Sequence, residues 1–325
     1  MAISKPGRPK VMLTGADGFA GRILAEHLQE KQYQLLSAVR KLDPSDKIPG
    51  DKRIIGNLNE ETDWSQALDG VEIVVHLAAR AHILREKAEH LDLYDLVNHR
   101  ATLNLARQAL SHGVRRFIFV STAGVHGRAG LTRLRPGTEE SPLSPQGPYA
   151  KSKLEAENGL RRLAAESGLE LVIIRPVLMY GPGVKGNLRT LMKWLRRGLP
   201  WPLASVDNRR SFLNVRNFAD FAVCCLEHPQ AAGQTFILAD GRDLSTLELL
   251  RQTGRALGVG VRSWPCPPGL LRAGANCLGR PELAGQLLDD LSFDISKAKS
   301  RLGWRPPFSL EEGLKEMADH FRRNG

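Results

Sequence analysis

Short apolar runs alternate with longer amphipathic stretches along the first half of the chain. The runs are continuous rather than alternating apolar and polar, which is typical of parallel strands buried on both faces of a sheet. We expect six strands, at residues 11–14, 35–39, 53–56, 73–77, 117–121 and 171–175.

Patterns of helical period lie between these runs. In the first pattern, four apolar side chains fall on one helix face: Phe19, Ile23, Leu24 and Leu28. Two further helices are predicted over residues 91–112 and 149–167. The alternation of strands and helices predicts an α/β protein with a doubly wound parallel sheet and right-handed crossovers.

The sequence pattern changes after Pro176. Prolines and glycines interrupt shorter segments, as in GPG at residues 181–183 and PCPP at residues 265–268. We expect a first domain over residues 1–180 and a smaller C-terminal lobe over residues 181–325. Some segments of the lobe should return to the first domain.

Composition limits the classes of function. The chain has 325 residues, 42% of them hydrophobic and 25% charged, as in ordinary globular proteins. Its net charge is +11, but the basic pairs are scattered and accompany no nucleic-acid-binding module. We therefore expect a basic cleft for phosphate-bearing small molecules and no nucleic-acid partner. Four cysteines without metal-ligand spacing indicate reduced thiols and no metal site.

The sequence contains no clear signal for membrane insertion or export. No run approaches the roughly 18 apolar residues that a spanning helix needs. The start of the sequence runs into the first strand without a signal-type apolar segment. We therefore expect a cytoplasmic protein with no membrane partner.

A glycine-rich loop, TGADGFAG, separates the first predicted strand from the first helix. Its glycines, Gly15, Gly18 and Gly21, would let the backbone turn tightly and approach a pyrophosphate. The pyrophosphate charge would then lie at the helix N-terminus, next to Phe19 and Ala20. In this strand–loop–helix context the motif predicts a dinucleotide site, and the first domain is expected to bind the dinucleotide.

The end of the second strand bears on which dinucleotide binds. NAD enzymes place an acid there, about 20 residues after the glycines, to contact the ribose hydroxyls. Val39 stands at that point, Arg40 and Lys41 follow, and the first acid, Asp43, comes later. Two cations without the carboxylate suit a 2′-phosphate, so NADP(H) is favoured and NAD(H) is the alternative. Arg40 and Lys41 could also be solvated loop residues.

Catalytic chemistry is indicated by Tyr149 and Lys153, which form a Y-x-x-x-K motif near a helix start. Their spacing puts both side chains on one helix face, where the lysine cation can stabilise a tyrosinate. Upstream, the predicted strand 117–121 ends in Ser121 and Thr122. A hydroxyl at the carboxyl end of a parallel strand faces the ligand crevice, so Thr122 could bond the substrate oxygen that Tyr149 protonates. A capping role is the alternative for one of the two hydroxyls.

Together these segments resemble the extended short-chain dehydrogenases/reductases, the NAD-dependent epimerase/dehydratase family. The resemblance spans nearly the whole chain and also includes HLAA, STAGVHG, RPVLMYGPG, RRSFLNV and FDISKAKSRLGW. It implies a Rossmann domain and a nucleotide-sugar-binding lobe, with Thr122, Tyr149 and Lys153 as catalytic residues. It also implies a homodimer, formed through the helices predicted at 91–112 and 149–167.

Further site residues follow from the resemblance alone. Asn187 and Arg210 would hold the diphosphate of a UDP-sugar, and a guanidinium suits a phosphate on charge grounds as well. His126 is a candidate substrate contact, with a structural histidine as the alternative. Besides the glycine loop and the catalytic pair, the residues expected to contact the cofactor are Asn57, Leu58, Leu77, Ala78, Ala79, Asn98, Ser121 and Pro176.

Two departures from the family pattern narrow the reaction. Dehydratases place Asp-Glu directly after the threonine, whereas this chain has Ala123 and Gly124. Arg40 and Lys41 favour a consumed NADPH over a retained NAD. HLAARAH, GPGVKGN and DNRRS are similar to reductases of UDP-4-keto-6-deoxy-N-acetylhexosamines, which supply sugars for bacterial surface polysaccharides such as lipopolysaccharide. We expect this 4-ketoreductase activity, with an NAD-dependent UDP-hexose or UDP-N-acetylhexosamine 4-epimerase as the alternative. A non-catalytic dinucleotide sensor ranks below both, because Tyr149 and Lys153 are present.

Overall fold

The computed structural model describes residues 7–42, 47–81, 91–128 and 130–324. Within these residues it has nine strands: β1 Lys10–Thr14, β2 Gln34–Val39, β3 Asp51–Ile54, β4 Ile73–His76, β5 Arg116–Val120, β6 Glu170–Pro176, β7 Leu178–Tyr180, β8 Phe212–Asn214 and β9 Thr235–Leu238.

Twelve α-helical segments occur in the part of the chain that the structure describes. They are α1 Phe19–Glu30, α2 Ser65–Leu68, α3 Asp92–Asp95, α4 Ala101–Ser111, α5 Gly147–Ser167, α6 Gly186–Arg196, α7 Val215–Glu227, α8 Thr246–Leu257, α9 Pro268–Cys277, α10 Pro281–Leu288, α11 Ser296–Leu302 and α12 Leu310–Asn324. None of the described helices is long and apolar enough to cross a lipid bilayer.

Seven parallel strands form the central sheet, in the order β3-β2-β1-β4-β5-β6-β9. Val11 of β1 pairs with Leu35 on one side and with Ile73 on the other. The strand order reverses between β1 and β4, and in open sheets of this kind ligands bind at the carboxyl ends of the strands flanking such a reversal. The expected α/β doubly wound fold is confirmed.

The six strands predicted from apolar runs are all present, with ends displaced by one or two residues. β9 was not predicted, because a four-residue apolar run is compatible with either a strand or a buried helix turn. It lies in the segment expected for the C-terminal lobe, yet it joins the central sheet beside β6. The short pair β7–β8 was not predicted either.

The helix predicted over residues 91–112 is interrupted by a π-helical turn, Leu96–Arg100, between α3 and α4. Turns of this kind frequently occur at functional sites, because one extra residue redirects the side chains around it. The turn carries Asn98, whose side chain is fully buried.

Helix α5 carries the Y-x-x-x-K motif. Pro148 lies in its first turn, and Gly168 ends it in the left-handed conformation at φ +73°. Its buried face contains two charged side chains, Lys153 and Glu157, beside small and apolar residues. Because an isolated buried charge is costly, both need specific partners.

Glu157 has its partners at the ends of two neighbouring strands. Its Oε1 accepts from Ser121 Oγ at 2.5 Å and from Arg175 Nε at 3.0 Å, and its Oε2 accepts from Arg175 Nη2 at 2.5 Å. Arg161 Nη2 approaches Oε2 to 3.5 Å. Glu157 and Arg175 are both buried, so this network holds α5 against β5 and β6.

A separate small core cluster lies in the C-terminal half of the chain. It includes Tyr180, Met192, Phe212, Leu314 and Phe321, contributed by α6, α12 and the β7–β8 pair. Helix α8 begins with a capping box, in which Ser245 Oγ accepts from the Glu248 amide and Glu248 accepts from the Ser245 amide.

Glu157→Ala should destabilise the protein by about 3–5 kcal/mol, because it leaves the Arg175 guanidinium buried without its carboxylate. The free energy of unfolding in urea would measure this. Glu155→Ala, at an exposed position of the same helix, is the control and should change stability by less than about 0.5 kcal/mol. Equal losses in the two variants would show that the buried pair does not hold α5.

Candidate active site

The glycine loop joins β1 to α1 by a turn that excludes side chains at two positions. Gly15 has φ +72°, and a Cβ on it would lie 2.8 Å from the backbone nitrogen of Ala78. A Cβ on Gly21 would lie 2.0 Å from the carbonyl oxygen of Gly15. Gly18 closes the turn by donating its N–H to the same oxygen at 3.0 Å. The backbone therefore lies close to the β4 exit, as dinucleotide sites require.

The N-terminus of α1 can accept an anion. Its N-cap, Gly18, contributes no side-chain cap, and the first turn, which begins with Phe19 and Ala20, holds no acidic residue. The first N–H groups of the helix, together with the positive end of its dipole, therefore suit a phosphate. The residues present fit the pyrophosphate of a nicotinamide dinucleotide.

A directed chain of hydrogen bonds crosses the reversal point of the sheet. The Ala78 N–H donates to Thr14 Oγ1 at 3.1 Å, and Thr14 Oγ1 lies 2.8 Å from His76 Nδ1. His76 Nε2 lies 2.9 Å from Thr102 Oγ1, whose hydroxyl donates to the Asn98 carbonyl oxygen at 2.8 Å. Since that hydroxyl has already donated its proton, His76 carries hydrogen on Nε2, and Nδ1 accepts from Thr14. Burial lowers the pKa of His76 to about 3, so the ring is neutral.

Asn98 connects this series of hydrogen bonds to α5, the helix that carries Tyr149 and Lys153. Its Oδ1 accepts from the Arg80 N–H at 2.7 Å, and its amide donates to the Arg80 carbonyl oxygen and to Ser152 Oγ, both at 3.0 Å. Asn98 therefore holds the backbone that follows β4 against α5. In this backbone segment Leu77, Ala78 and Ala79 are half-buried.

Tyr149 and Lys153 lie one turn apart on α5, as the spacing predicted. Lys153 is 1% exposed, and its Nζ lies 4.1 Å from the centre of the Phe119 ring. Burial lowers the pKa of Lys153 to about 7, while the charge of Glu157 opposes this shift. Tyr149 is half-buried, and burial raises the pKa of its hydroxyl to about 12. With no bound nucleotide, Tyr149 is thus protonated at neutral pH.

The two hydroxyls at the end of β5 have different surroundings. Ser121 is buried and donates to Glu157, so its hydroxyl proton is used in a hydrogen bond within the protein. Thr122 is half-buried, and its Oγ1 accepts from the Gly124 N–H at 3.1 Å as the cap of a short 3-10 turn, Ala123–His126. The hydroxyl proton of Thr122 is not used in that bond.

The remaining predicted cofactor contacts lie along the carboxyl edge of the sheet. Arg40 and Lys41 are exposed just beyond β2, and Asp43 lies outside the described residues. Asn57 is exposed and Leu58 half-buried beyond β3, whereas Pro176 is buried at the end of β6. Arg40 and Lys41 form no hydrogen bond or ion pair with the described residues.

The three predicted substrate contacts, His126, Asn187 and Arg210, differ in burial and in hydrogen-bond partners. His126 is buried; its Nε2 accepts from Arg175 Nη1 at 2.9 Å, and its Nδ1 lies 3.1 Å from the Ser141 carbonyl oxygen. Both ring nitrogens thus have protein partners, which favours the structural alternative. Asn187 is exposed at the start of α6, where its amide donates to Gln286 Oε1 at 2.9 Å.

Arg210 is buried and lacks a carboxylate partner of its own among the described residues. Its Nη1 donates to the Asp289 carbonyl oxygen at 3.2 Å. Burial, followed by the charge of Arg128, lowers the pKa of Arg210 to about 10. The carboxylate of Asp289 pairs with Arg272, and that of Asp290 approaches Arg133. The charges of Asp289 and Asp290 act on the pKa of Arg210 in the opposite direction, and neither carboxylate forms an ion pair with Arg210 among the described residues. The neighbouring Arg128 and Arg210 guanidinium groups are of a type that suits a diphosphate.

A cavity of about 430 Å³ lies beside this pair. Arg128 lines this cavity, whereas Arg210 does not. The other charged lining residues are Arg133, Arg272, Asp207, Asp289 and Asp290, so positive and negative side chains are present in equal number. A second cavity, of about 620 Å³, runs along α1 on the outside of the molecule and includes Gly18 and Phe19 at one end. Its other lining residues come from Asp17, from α1, α7 and α12, and from the segment 182–185. Since Thr122, Tyr149 and Lys153 are not among them, this cavity is not the reaction site.

Several residues of the site were not identified from the sequence. Glu157 could have been identified from the sequence, because it lies four residues after Lys153 and therefore on the same helix face. Arg175 is a charge that ends an otherwise apolar strand. For His76 and Arg128 the sequence carried no such signal, because their partners are remote along the chain.

The lowered pKa of Lys153 predicts a pH-dependent stability. Its pKa is about 7 in the folded protein, against about 10.4 in an unfolded chain. Between these values the unfolded state binds more protons, so this group makes the free energy of unfolding rise with pH; below about pH 7 the full cost of burying the ammonium remains. Lys153→Met should be more stable than wild type near pH 6, by up to about 4 kcal/mol, and the advantage should shrink toward pH 10.

Urea unfolding of nucleotide-free protein across this pH range tests the expectation. Lys151→Met, at an exposed position of α5, should show no comparable pH-dependent difference. A constant difference between wild type and Lys153→Met would contradict a buried ammonium with a lowered pKa.

Comparison with known proteins agrees with this geometry. Residues 11–239 match the model of the NAD dependent epimerase/dehydratase family. The chain is 40% identical to a UDP-glucose 4-epimerase of Vibrio cholerae, over 96% of this chain and 95% of that protein. It is 28% identical to a 2-alkyl-3-oxoalkanoate reductase of Stenotrophomonas maltophilia, over 95% and 98% of the two chains.

A solved structure supports the fold independently. The crystal structure of a UDP-glucose 4-epimerase with UDP-glucose from Thermotoga maritima has a TM-score of 0.76 and 23% identity, covering 97% of this chain and 99% of that one. The glycine loop, the Y-x-x-x-K helix and the match over most of the sequence lead to one conclusion. The chain belongs to the NAD-dependent epimerase/dehydratase family.

Proposed function

We propose that this protein is an NADPH-dependent reductase that acts on the 4-keto group of a UDP-4-keto-6-deoxy-N-acetylhexosamine, a step that supplies sugars for surface polysaccharides. The observation that carries the proposal is the pair Arg40 and Lys41, exposed at the end of β2 without a described carboxylate partner. Val39 stands where an NAD enzyme would place its acid.

The two cations suit a 2′-phosphate on the adenosine ribose. A hydrogen bond between charged groups contributes about 1.5–3 kcal/mol, so one such contact alone would favour NADPH over NADH by more than tenfold. A cofactor drawn from the reduced NADPH pool is consumed by a reductase, whereas an epimerase retains its NAD.

The protonated state of Tyr149 also favours reduction. When bound, NADPH supplies a hydride to the carbonyl carbon. Tyr149, whose pKa is raised to about 12 by burial, keeps its proton at neutral pH and can donate it to the substrate oxygen. Thr122 can hold that oxygen with its hydroxyl. The Lys153 ammonium stabilises the tyrosinate that remains, and its own low dielectric surroundings strengthen this interaction.

The substrate proposal rests on the second basic site. Arg210 and Arg128 would hold the diphosphate, and Asn187 at the start of α6 would contact the same nucleotide. Relatives named as acting on UDP-glucose have the same fold and share up to 40% of the sequence. Ala123 and Gly124 offer no carboxylate for the proton abstraction that dehydration needs.

The 4-epimerase is the second candidate, and the Vibrio cholerae relative favours it. It would use the same residues, with Tyr149 first accepting and then returning a proton. An epimerase would contain NAD as purified and would need no added nucleotide.

We also propose the organisation predicted from the sequence: a dinucleotide-binding domain over residues 1–180, a substrate lobe over residues 181–325, and a cytoplasmic homodimer. In the dimer, the outer faces of α4 and α5 would pack against those of a second copy.

Heat-denaturing the purified protein and analysing the released nucleotide distinguishes the two reactions. The reductase should release NADP or nothing, and should consume NADPH only when a 4-keto sugar is supplied. It should prefer NADPH over NADH by at least tenfold, and Arg40→Ala should remove much of that preference without harming NADH use. Arg53→Ala, an exposed cation on β3, is the control and should leave the preference unchanged.

Stoichiometric NAD, with conversion of a UDP-hexosamine to its carbon-4 epimer, would instead establish the epimerase. Unchanged cofactor preference in Arg40→Ala would show that Arg40 does not contact the 2′-phosphate.

Tyr149→Phe should lower turnover by about 10²–10⁴-fold, because it removes the transferable proton and keeps the ring. Steady-state kinetics together with NADPH titration by fluorescence would measure both effects, and NADPH affinity should stay close to that of wild type. Near-normal turnover in the variant would contradict the role of Tyr149 as general acid.

A further inference from the structure

Helix α9 lies on the surface of the C-terminal lobe, and none of its residues is buried. On its inner side Leu271 packs against a small core cluster that includes Trp201 and Leu250, and the helix also packs against α10. Its outer side carries apolar or small residues at positions i, i+3, i+4, i+7 and i+8: Leu270, Ala273, Gly274, Cys277 and Leu278.

This outer stripe is open. Leu270 is 65% exposed and Leu278 79% exposed, and a Cβ on Gly274 would meet no atom within 4 Å. Trp264, just before the helix, is 45% exposed. An amphipathic surface helix ordinarily turns its apolar stripe inward, so α9 has the opposite arrangement. We call Trp264 and the outer stripe the α9 surface.

The charge around the α9 surface has one sign along the sequence, although in the fold Pro268 and Arg272 share a cavity with the carboxylates Asp207, Asp289 and Asp290. No Asp or Glu occurs between Glu248 and Glu282, and this stretch contains five arginines: Arg251, Arg255, Arg262, Arg272 and Arg280. Arg272 pairs with Asp289, whereas Arg262 and Arg280 are exposed and have no ion pair with the described residues. The surface therefore combines exposed leucine and tryptophan side chains with a cationic border.

We propose that the α9 surface docks the protein onto an anionic phospholipid bilayer. Interfacial helices bury leucine and tryptophan side chains at the acyl boundary, while arginines contact the lipid phosphates. A second copy of the chain fits less well, since two such surfaces would bring their arginines together. The proposal departs from the expectation of no membrane partner, which rested on the absence of a spanning segment. It does not depend on the reaction proposed above.

Docking would place the substrate lobe at the membrane surface. Pro268 and Arg272 of α9 also line the 430 Å³ cavity beside Arg128, so the cavity and the α9 surface share a wall. That cavity would then lie near the lipid headgroups.

Co-sedimentation with vesicles tests the proposal on the full chain. Wild type should bind vesicles of phosphatidylcholine and phosphatidylglycerol, bind pure phosphatidylcholine at least tenfold more weakly, and dissociate as salt is raised. The double variant Leu270→Ser/Leu278→Ser should lose at least tenfold in partition onto the anionic vesicles. Ile54→Ser, a similarly exposed apolar position on β3, is the control and should bind as wild type does.

A second pair of variants tests the charge alone. Arg262→Gln/Arg280→Gln should weaken binding to anionic vesicles by roughly tenfold or more, at about 1 kcal/mol for each cation. Arg301→Gln/Arg305→Gln, which removes two exposed cations elsewhere, should not. Thermal melting of each variant verifies folding, and the arginine pair keeps the test decisive if the leucine variant does not fold.

Three results would overturn the proposal. They are equal binding to both kinds of vesicle, no effect of the α9 variants relative to their controls, and light scattering that shows a smaller assembly for Leu270→Ser/Leu278→Ser. The last result would mean that a second copy of the chain covers the α9 surface.

Discussion

The buried ion pair between Glu157 and Arg175 is the constraint on which the active site depends. It joins α5, which carries Tyr149 and Lys153, to the carboxyl ends of β5 and β6, where the reactive edge of the sheet lies. A carboxylate buried this deeply is tolerated because hydroxyl and guanidinium donors satisfy both of its oxygens. The same guanidinium also holds His126, so one charge pair orders the helix, two strand ends and the following turn.

Burial then sets the chemistry of the catalytic groups. Lys153 rests on the Phe119 ring in an apolar environment, which lowers its pKa and makes its charge interact strongly with whatever lies nearby. His76 stays neutral beside it and transmits hydrogen bonds from Thr14 to Thr102. The glycine loop, the β4 exit and the catalytic helix are thereby held in one geometry. Such a site costs stability when empty, and a bound anionic cofactor and substrate would offset that cost.

The positive charge of the chain is distributed over places with different surroundings. Arg40 and Lys41 are solvated at the end of β2, whereas Arg210 is buried near Arg128. The arginines around α9 border exposed apolar side chains instead. The net charge of +11 is therefore spread over three regions, for which we propose a ribose phosphate, a diphosphate and a lipid surface as ligands.

Features that depend on neighbouring residues could be predicted from the sequence. Apolar periodicity placed the central strands and long helices, Gly15 and Gly21 marked a backbone that tolerates no side chain, and four-residue spacing put Tyr149 above Lys153. Which groups those residues contact depends on the three-dimensional packing. It paired Glu157 with Arg175, turned His126 inward, set Arg128 near Arg210, brought β9 into the sheet and left the stripe of α9 outward. These outcomes depend on how remote elements pack, and no local pattern of residues specifies that packing.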